Sequence, residues 1–318
     1  MKISIAWPEL EVTVGATLAG EANPELCEEF ARHLPFGILQ SHPVVSGSSV
    51  TMWLPYLSIA STPTRESIVD APIGRIRLSQ ATGSKLSIQY GKGLEPARQA
   101  VLGVVDTEHL DVLPRIGREV WDNLFWRKQK LTVHFAAGDD VAGREPLPAP
   151  APLPLPAHPL AKELAAAADA IQLEEPADVE RLRTGNVPDA GSFDQYFSVL
   201  VAAYGLVRDY VVNTLYPVHG ALRGRGLETA RVVYATVGAA YHFQLRYHGF
   251  ALLADFAERF QAVLEESDDD AVVGEVLEQL LRYGNTTYAW SHQAFPWYLG
   301  MHFPTSGAGL PAGRWSPS

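Results

Sequence analysis

Along the first 137 residues, apolar and polar positions alternate in short runs. The clearest, at residues 2–5, 11–18, 50–54, 74–78, 85–90 and 131–135, predict strands bounded by Gly, Pro or Ser. Two helices interrupt them. Asn23 and Pro24 supply the cap and first turn of a helix over 25–33. Pro114 opens another over 115–126, in which Ile116, Val120 and Leu124 recur at helical spacing. Many short strands with few helices predict a closed or nearly closed barrel.

Past residue 159 the hydrophobic period changes to that of helices. Phe193, Tyr196, Phe197, Leu200, Val201, Tyr204, Val207 and Val211 form one stripe, and Ser192 with Gln195 is a capping-box pair that would start it. Segments 160–173, 226–266 and 270–292 bring the total to about four helical segments, with the acidic run EESDDD at 265–270 as a turn. A helical bundle is the economical reading. Between the two patterns, proline stands at 146, 148, 150, 152, 154, 156 and 159, which blocks both helix and central strand. Extended as polyproline II, such a linker spans on the order of 40 Å. The predicted class is therefore α+β multidomain. A β-barrel domain occupies 1–138, a Pro-rich linker 139–159, an all-α bundle 160–303 and a flexible Gly, Pro and Ser-rich tail 304–318.

Composition narrows the function classes. The 318 residues carry a net charge of −11, and the halves differ: 13 basic against 14 acidic residues before position 139, 12 against 22 after it. Phosphate-backbone binding needs clustered basic side chains, so nucleic acid is not an expected partner. No run of about 18 uncharged apolar residues is present, and Pro8 and Glu9 fall where a signal peptide would be apolar, so neither a membrane span nor that secretion route is expected. Cys27 is the only cysteine. It reads as a small buried apolar side chain, which fits a reducing cytoplasm. The sequence has no G-x-x-x-x-G-K, no strand-anchored G-x-G-x-x-G, no Gly-x-Ser-x-Gly elbow and no His-Glu-x-x-His, so a metal site is not expected and cofactor-free chemistry is not contradicted.

The order MKISI, NPELCEEFARHLPF, VTMWLP, APIGRIRL, KLSIQYG, IGREVW and LTVHFA over residues 1–137 resembles the bacterial cyclophilin-like barrel family. A cyclophilin-like barrel followed by an all-helical domain further resembles the cucumopine and mikimopine synthases and the related Pictet–Spengler cyclases of β-carboline-type pathways. The resemblance implies a cofactor-independent enzyme that joins an amino acid's amine to a carbonyl compound and closes a ring from the aromatic side chain. It also favours a homo-oligomer. Prolyl isomerase activity is disfavoured, because Gln40-Ser41-His42-Pro43-Val44 has proline where those enzymes carry a catalytic arginine.

That chemistry needs a proton shuttle, Arg for substrate carboxylates and aromatic walls for a ring. On the segment YHFQLRYH, His242 and Arg246 share one helical face as base and clamp, while Tyr241, Leu245 and His248 share the next. Asn285, Tyr288 and His292 make a second stripe, followed by Phe295, Trp297 and Tyr298. In the first half Glu66 is read as a loop carboxylate, which the cyclophilin-like resemblance places near the open cleft of the barrel. Trp53 and Tyr90 are candidate walls for a ring-shaped ligand. Glu66, His242 and His292 are thus the expected catalytic set, and Trp53, Tyr90, Tyr241, Arg246, His248 and Tyr288 the expected substrate contacts. The expected amine is a tryptophan-like indole, with histidine the alternative as in the opine synthases. The expected carbonyl is a keto acid or an aldehyde. A non-catalytic binding module is the reading from another class.

Overall fold

The computed structural model describes residues 1–138, 155–184 and 196–297, with side chains omitted at 196–199. The predicted tail at 304–318, Tyr298, the Ser192–Gln195 capping pair and most of the Pro-rich segment lie outside the described residues.

Nine strands form one antiparallel sheet: β1 (Lys2–Trp7), β2 (Val12–Leu18), β3 (Phe36–Leu39), β4 (Gly47–Trp53), β5 (Arg65–Ser67), β6 (Arg75–Ser79), β7 (Lys85–Gly93), β8 (Arg98–Val105) and β9 (Thr132–Ala137). The order is β3-β9-β1-β2-β8-β6-β7-β4, with β5 on β8. No continuous ladder closes it. The end strands meet through one bridge, in which Ser41 and Thr51 exchange N–H···O bonds of 2.8 Å each way. Ile3, Ile5, Val14, Ile76, Leu86, Ile88 and Phe135 fill the interior, and α1 (Pro24–Arg32) and α2 (Leu113–Asp122) cover it with Leu26, Phe30, Ile116 and Val120. Strands β3, β5 and β8 were not anticipated. Each is short, or polar on its first residues, and is held by its neighbours rather than by its own pattern.

Eight α-helices are described after the sheet: α3 (Pro159–Ile171), α4 (Ala177–Arg183), α5 (Tyr196–Arg208), α6 (Tyr216–Arg225), α7 (Leu227–Val233), α8 (Ala240–Tyr247), α9 (Ala251–Glu266) and α10 (Asp270–Ala294). The single segment expected over 226–266 is thus three helices. A π-helical turn at 234–238 interrupts it first, and Gly249 at φ +91° then reverses the chain, a conformation that glycine adopts without a Cβ clash. The acidic run does end one helix and start the next, because the Asp269 carboxylate accepts from the backbone N–H groups of Ala271 at 2.8 Å and Val272 at 3.4 Å. No helix among the described residues is long and apolar enough to cross a membrane.

Helix α10 is the axis of the second half. It packs on α3, α5 and α9, and every residue from Leu280 to Gln293 is buried although many are polar. Its Thr and Ser hydroxyls are satisfied within the helix: Thr286, Thr287 and Ser291 donate to the carbonyls four residues earlier, at 3.1, 3.0 and 2.8 Å. Others of its polar groups join it to the first half of the chain. Arg282 donates to the Pro55 carbonyl at 2.6 Å, Lys128 donates to the carbonyls of Gln293 at 2.9 Å and of Phe295, and Gln293 donates to the Gln129 carbonyl at 3.2 Å. The two halves therefore meet along a polar, hydrogen-bonded seam.

Candidate active site

Strand alternation gives the sheet a second, polar face. Register places Trp53 opposite Lys85, Thr51 opposite Ser87 and Ser49 opposite Gln89 between β4 and β7. Arg77 lies opposite Ser87 on β7 and Val101 on β8, and Glu66 lies opposite Gln99. All of these side chains point away from the apolar interior. A polar face on an outer sheet surface is ordinarily wet, yet Arg77 is 1% exposed and Gln89 0%. Arg77 donates Nη2 to the Gln89 Oε1, while its Nε and Nη1 are buried without a hydrogen-bond partner among the described residues. Burial lowers its pKa to about 10, against the opposing field of Glu66. Unpaired buried guanidinium N–H groups are costly, and their natural complement is an anion.

At the β4 end, rings of α10 and α5 complete the site. The Trp53 ring lies edge-on to Tyr288 at 5.1 Å and tilted to His292 at 5.8 Å. The Tyr288 and Tyr204 hydroxyls are 3.2 Å apart, and burial raises both phenols. Trp297 donates its indole N–H to the His292 carbonyl at 2.9 Å. The Lys85 ammonium sits 5.0 Å from the centre of the Trp53 ring. Arg208, at the end of α5, acts on both Lys85 and the Tyr288 hydroxyl. Ser41, the residue of the closing bridge, places its Oγ 3.0 Å from His292 Nδ1. Burial first, then the charges of Lys85 and Lys128, hold the His292 pKa well below its usual range, so the imidazole is neutral. The Trp53 indole N–H and Asn285 Oδ1 are also unpartnered among the described residues. Both face Gly83, where a Cβ would lie 3.1 Å from the one and 2.9 Å from the other.

Of the expected residues, the structure brings Trp53, Tyr288 and His292 together. Glu66 is on the same polar face, but it is in strand β5 rather than a loop, and it is paired with Arg75 at 2.8 Å. Tyr90 points to the opposite face, against Gly117, with its hydroxyl 2.7 Å from His42 Nε2. The α8 group lies off the seam. His242 Nε2 meets the Tyr234 hydroxyl at 2.9 Å, Tyr241 packs 5.5 Å from Tyr210, and His248 packs edge-on to Tyr247 at 5.2 Å. Arg246 faces solvent and pairs with Glu258 at 2.9 Å. The base-and-clamp reading of this helix is corrected for a physical reason. Leu245 is the residue that α8 buries, and this turns His242 and Arg246 to the rim next to α9.

Sequence reasoning missed Arg77, Lys85, Gln89, Arg208 and Ser41. A signal was present for the first three: charged or polar residues at every second position of two adjacent strands, 75, 77 and 79 and then 85, 87 and 89, mark a polar face too regular for a loop. The Trp53 ring is buried against Tyr288 and His292. Trp53→Ala is expected to destabilise the chain by about 3–5 kcal/mol, read from the urea midpoint, because it opens a cavity between Tyr288 and His292.

Residues 157–294 match the family described as the cucumopine synthase C-terminal helical bundle domain. This half resembles the cucumopine-type bundle. No curated protein sequence matches the chain. Among solved structures, McbB in complex with tryptophan superposes with a TM-score of 0.84 at 28% identity, covering 94% of this chain and 98% of that one. The likeness therefore spans the barrel and the cucumopine-type bundle together. The seam rings Tyr204, Tyr288 and His292, together with Arg208, belong to the bundle, and Arg77, Lys85 and Trp53 to the sheet that it covers.

Proposed function

We propose that the chain is a cytoplasmic, cofactor-independent Pictet–Spengler cyclase. It condenses an aromatic amino acid, a tryptophan-like indole by preference, with a keto acid or aldehyde and closes a β-carboline-type ring. The observation that carries this reading is the Arg77 guanidinium, buried with two groups unpartnered among the described residues, on the same sheet face as Trp53, whose ring packs on Tyr288 and His292 of α10. A substrate carboxylate satisfies the guanidinium, with Arg208 a second cation at the opposite end of the site. Trp53, Tyr288 and Tyr204 wall an aromatic ring. The overall match to a structure that holds tryptophan supports the choice of amine.

The proton steps fall to His292. Amine and carbonyl lose one water to form an iminium, the ring carbon attacks it, and the resulting ring cation must lose a proton. Such a cation is acidic enough to protonate even a neutral imidazole whose pKa is depressed. With Nδ1 held by Ser41, Nε2 is the nitrogen for that transfer. Histidine with α-ketoglutarate, the opine-type pairing, is the second reading, favoured by the cucumopine-type bundle.

The test mixes the protein with tryptophan or histidine and α-ketoglutarate, without cofactor, and follows products by mass spectrometry. A cyclic adduct lighter than the sum by one water is expected, and which amine gives it separates the two readings. Saturable binding of both substrates with no such product would make the chain a binding module instead.

A further inference from the structure

We propose that Lys85 is a covalent catalyst, its Nζ capturing the carbonyl substrate as a Schiff base before the amine substrate arrives. This rests on the condensation reading above. Lys85 opens β7 directly across from Trp53, its ammonium 5.0 Å from the ring centre and inside the seam rather than on the outer surface. The other lysines of the barrel that contact a partner are occupied. Lys2 pairs with Asp106 at 2.8 Å, Lys130 with Glu174 at 3.1 Å, and Lys128 is spent on the α10 carbonyls. Lys85 makes no ion pair among the described residues. The charged and titratable groups around it are Arg208 from α5, neutral His292 from α10 and Glu95 from the loop after β7, whose carboxylate accepts from Ser46 at 2.6 Å.

The surroundings favour the free amine. Burial, and then the neighbouring Arg208 cation, bring its pKa down to about 8, with Glu95 opposing. A desolvated lysine beside another cation is the arrangement that makes an amine nucleophilic near neutrality. Roughly a tenth of it is then unprotonated at neutral pH.

The steps balance without an oxidant or reductant. The Nζ lone pair adds to the carbonyl carbon, and the carbinolamine expels its hydroxyl as water, leaving a protonated imine. The substrate amine adds to the same carbon. The bond to Nζ then breaks as Nζ takes up a proton, which leaves the substrate iminium and restores Lys85. The gain is electrophilicity, since a protonated imine accepts an amine faster than the free carbonyl does.

The test incubates the full chain with α-ketoglutarate and sodium cyanoborohydride, then maps modified peptides by mass spectrometry. Saturable reductive alkylation at Lys85 is expected, well above that at Lys2 and Lys130, lost in Lys85→Arg and reduced when tryptophan is added first. Lys85→Arg keeps the charge and removes the nucleophile. It should lower turnover about 100-fold, the scale for losing a group at the reacting atoms, while Arg208 substitutions affect KM. Labelling no greater at Lys85 than at the exposed lysines overturns the proposal. So does turnover retained in Lys85→Arg, and in that case the cyclase reading stands. Selective trapping at Lys85 with no dehydrated product from either amine would instead keep the reactive lysine and remove the cyclase.

Discussion

Arg77→Met is expected to lower kcat/KM about 100-fold, or about 3 kcal/mol of transition-state stabilisation, while leaving stability within about 1 kcal/mol of the parent. The two halves of this expectation have one cause. Arg77 is buried, gives one N–H to Gln89 and leaves Nε and Nη1 without partners among the described residues. An arginine kept in the sheet for stability would have those groups paired. Replacing it with an apolar side chain of similar length relieves the unpaired guanidinium, a gain of about 1–3 kcal/mol, and strands the Gln89 oxygen, a loss of similar size. The substrate carboxylate loses the buried cation proposed to hold it. Kinetics by mass spectrometry and urea unfolding on the same preparation check both halves. A variant that unfolds several kcal/mol more readily with normal kinetics would make Arg77 a structural residue. The companion substitution Leu86→Ala, in the interior on the other side of β7, should behave oppositely, costing about 3 kcal/mol of stability.

Acid is expected to destabilise the fold well before the carboxylates titrate. His42 is 2% exposed, and its Nδ1 is 2.6 Å from the Pro43 carbonyl, which can only accept. Nδ1 therefore carries the proton and Nε2 accepts from the Tyr90 hydroxyl at 2.7 Å, so the ring is neutral. Burial sets its pKa to about 4. The unfolded chain, at about 6.5, binds more protons than the folded chain throughout the interval between. The contribution is fully present above about pH 6.5, declines as pH falls, and is lost by about pH 4, which removes about 3 kcal/mol. His292, His33, His134 and His242 are lowered by burial and act in the same direction, whereas Asp178, raised by burial, opposes them. Urea midpoints measured across this interval should fall steeply, and His42→Gln should flatten the dependence. A midpoint independent of pH down to about 4.5 would show that these rings are protonated in the fold.

The periodicities alone determined a great deal here. Period-two runs gave most of the strands, a proline series separated them from period-3.6 segments, and the pairing of the two patterns suggested a barrel with a helical partner. These are local signals, set by which faces a strand or helix buries, and they survive without knowledge of neighbours. Tyr288 and His292 were visible for the same reason, as positions four apart on one helix. Tertiary structure decided which helix faces the sheet. The stripes at 242 and 246 and at 288 and 292 are equally regular, but the second lies in the stretch 280–293 of α10 that is buried throughout, with the Gln293 carbonyl held by Lys128. It also decided that Arg77 is buried and that Lys85 lies at the Trp53 ring in the seam. A strand pattern says that alternate residues share a face, but not whether that face is wet. Here the bundle and the Ser41–Thr51 bridge bring His292 against it, so side chains that alternation alone would assign to solvent are withdrawn from it.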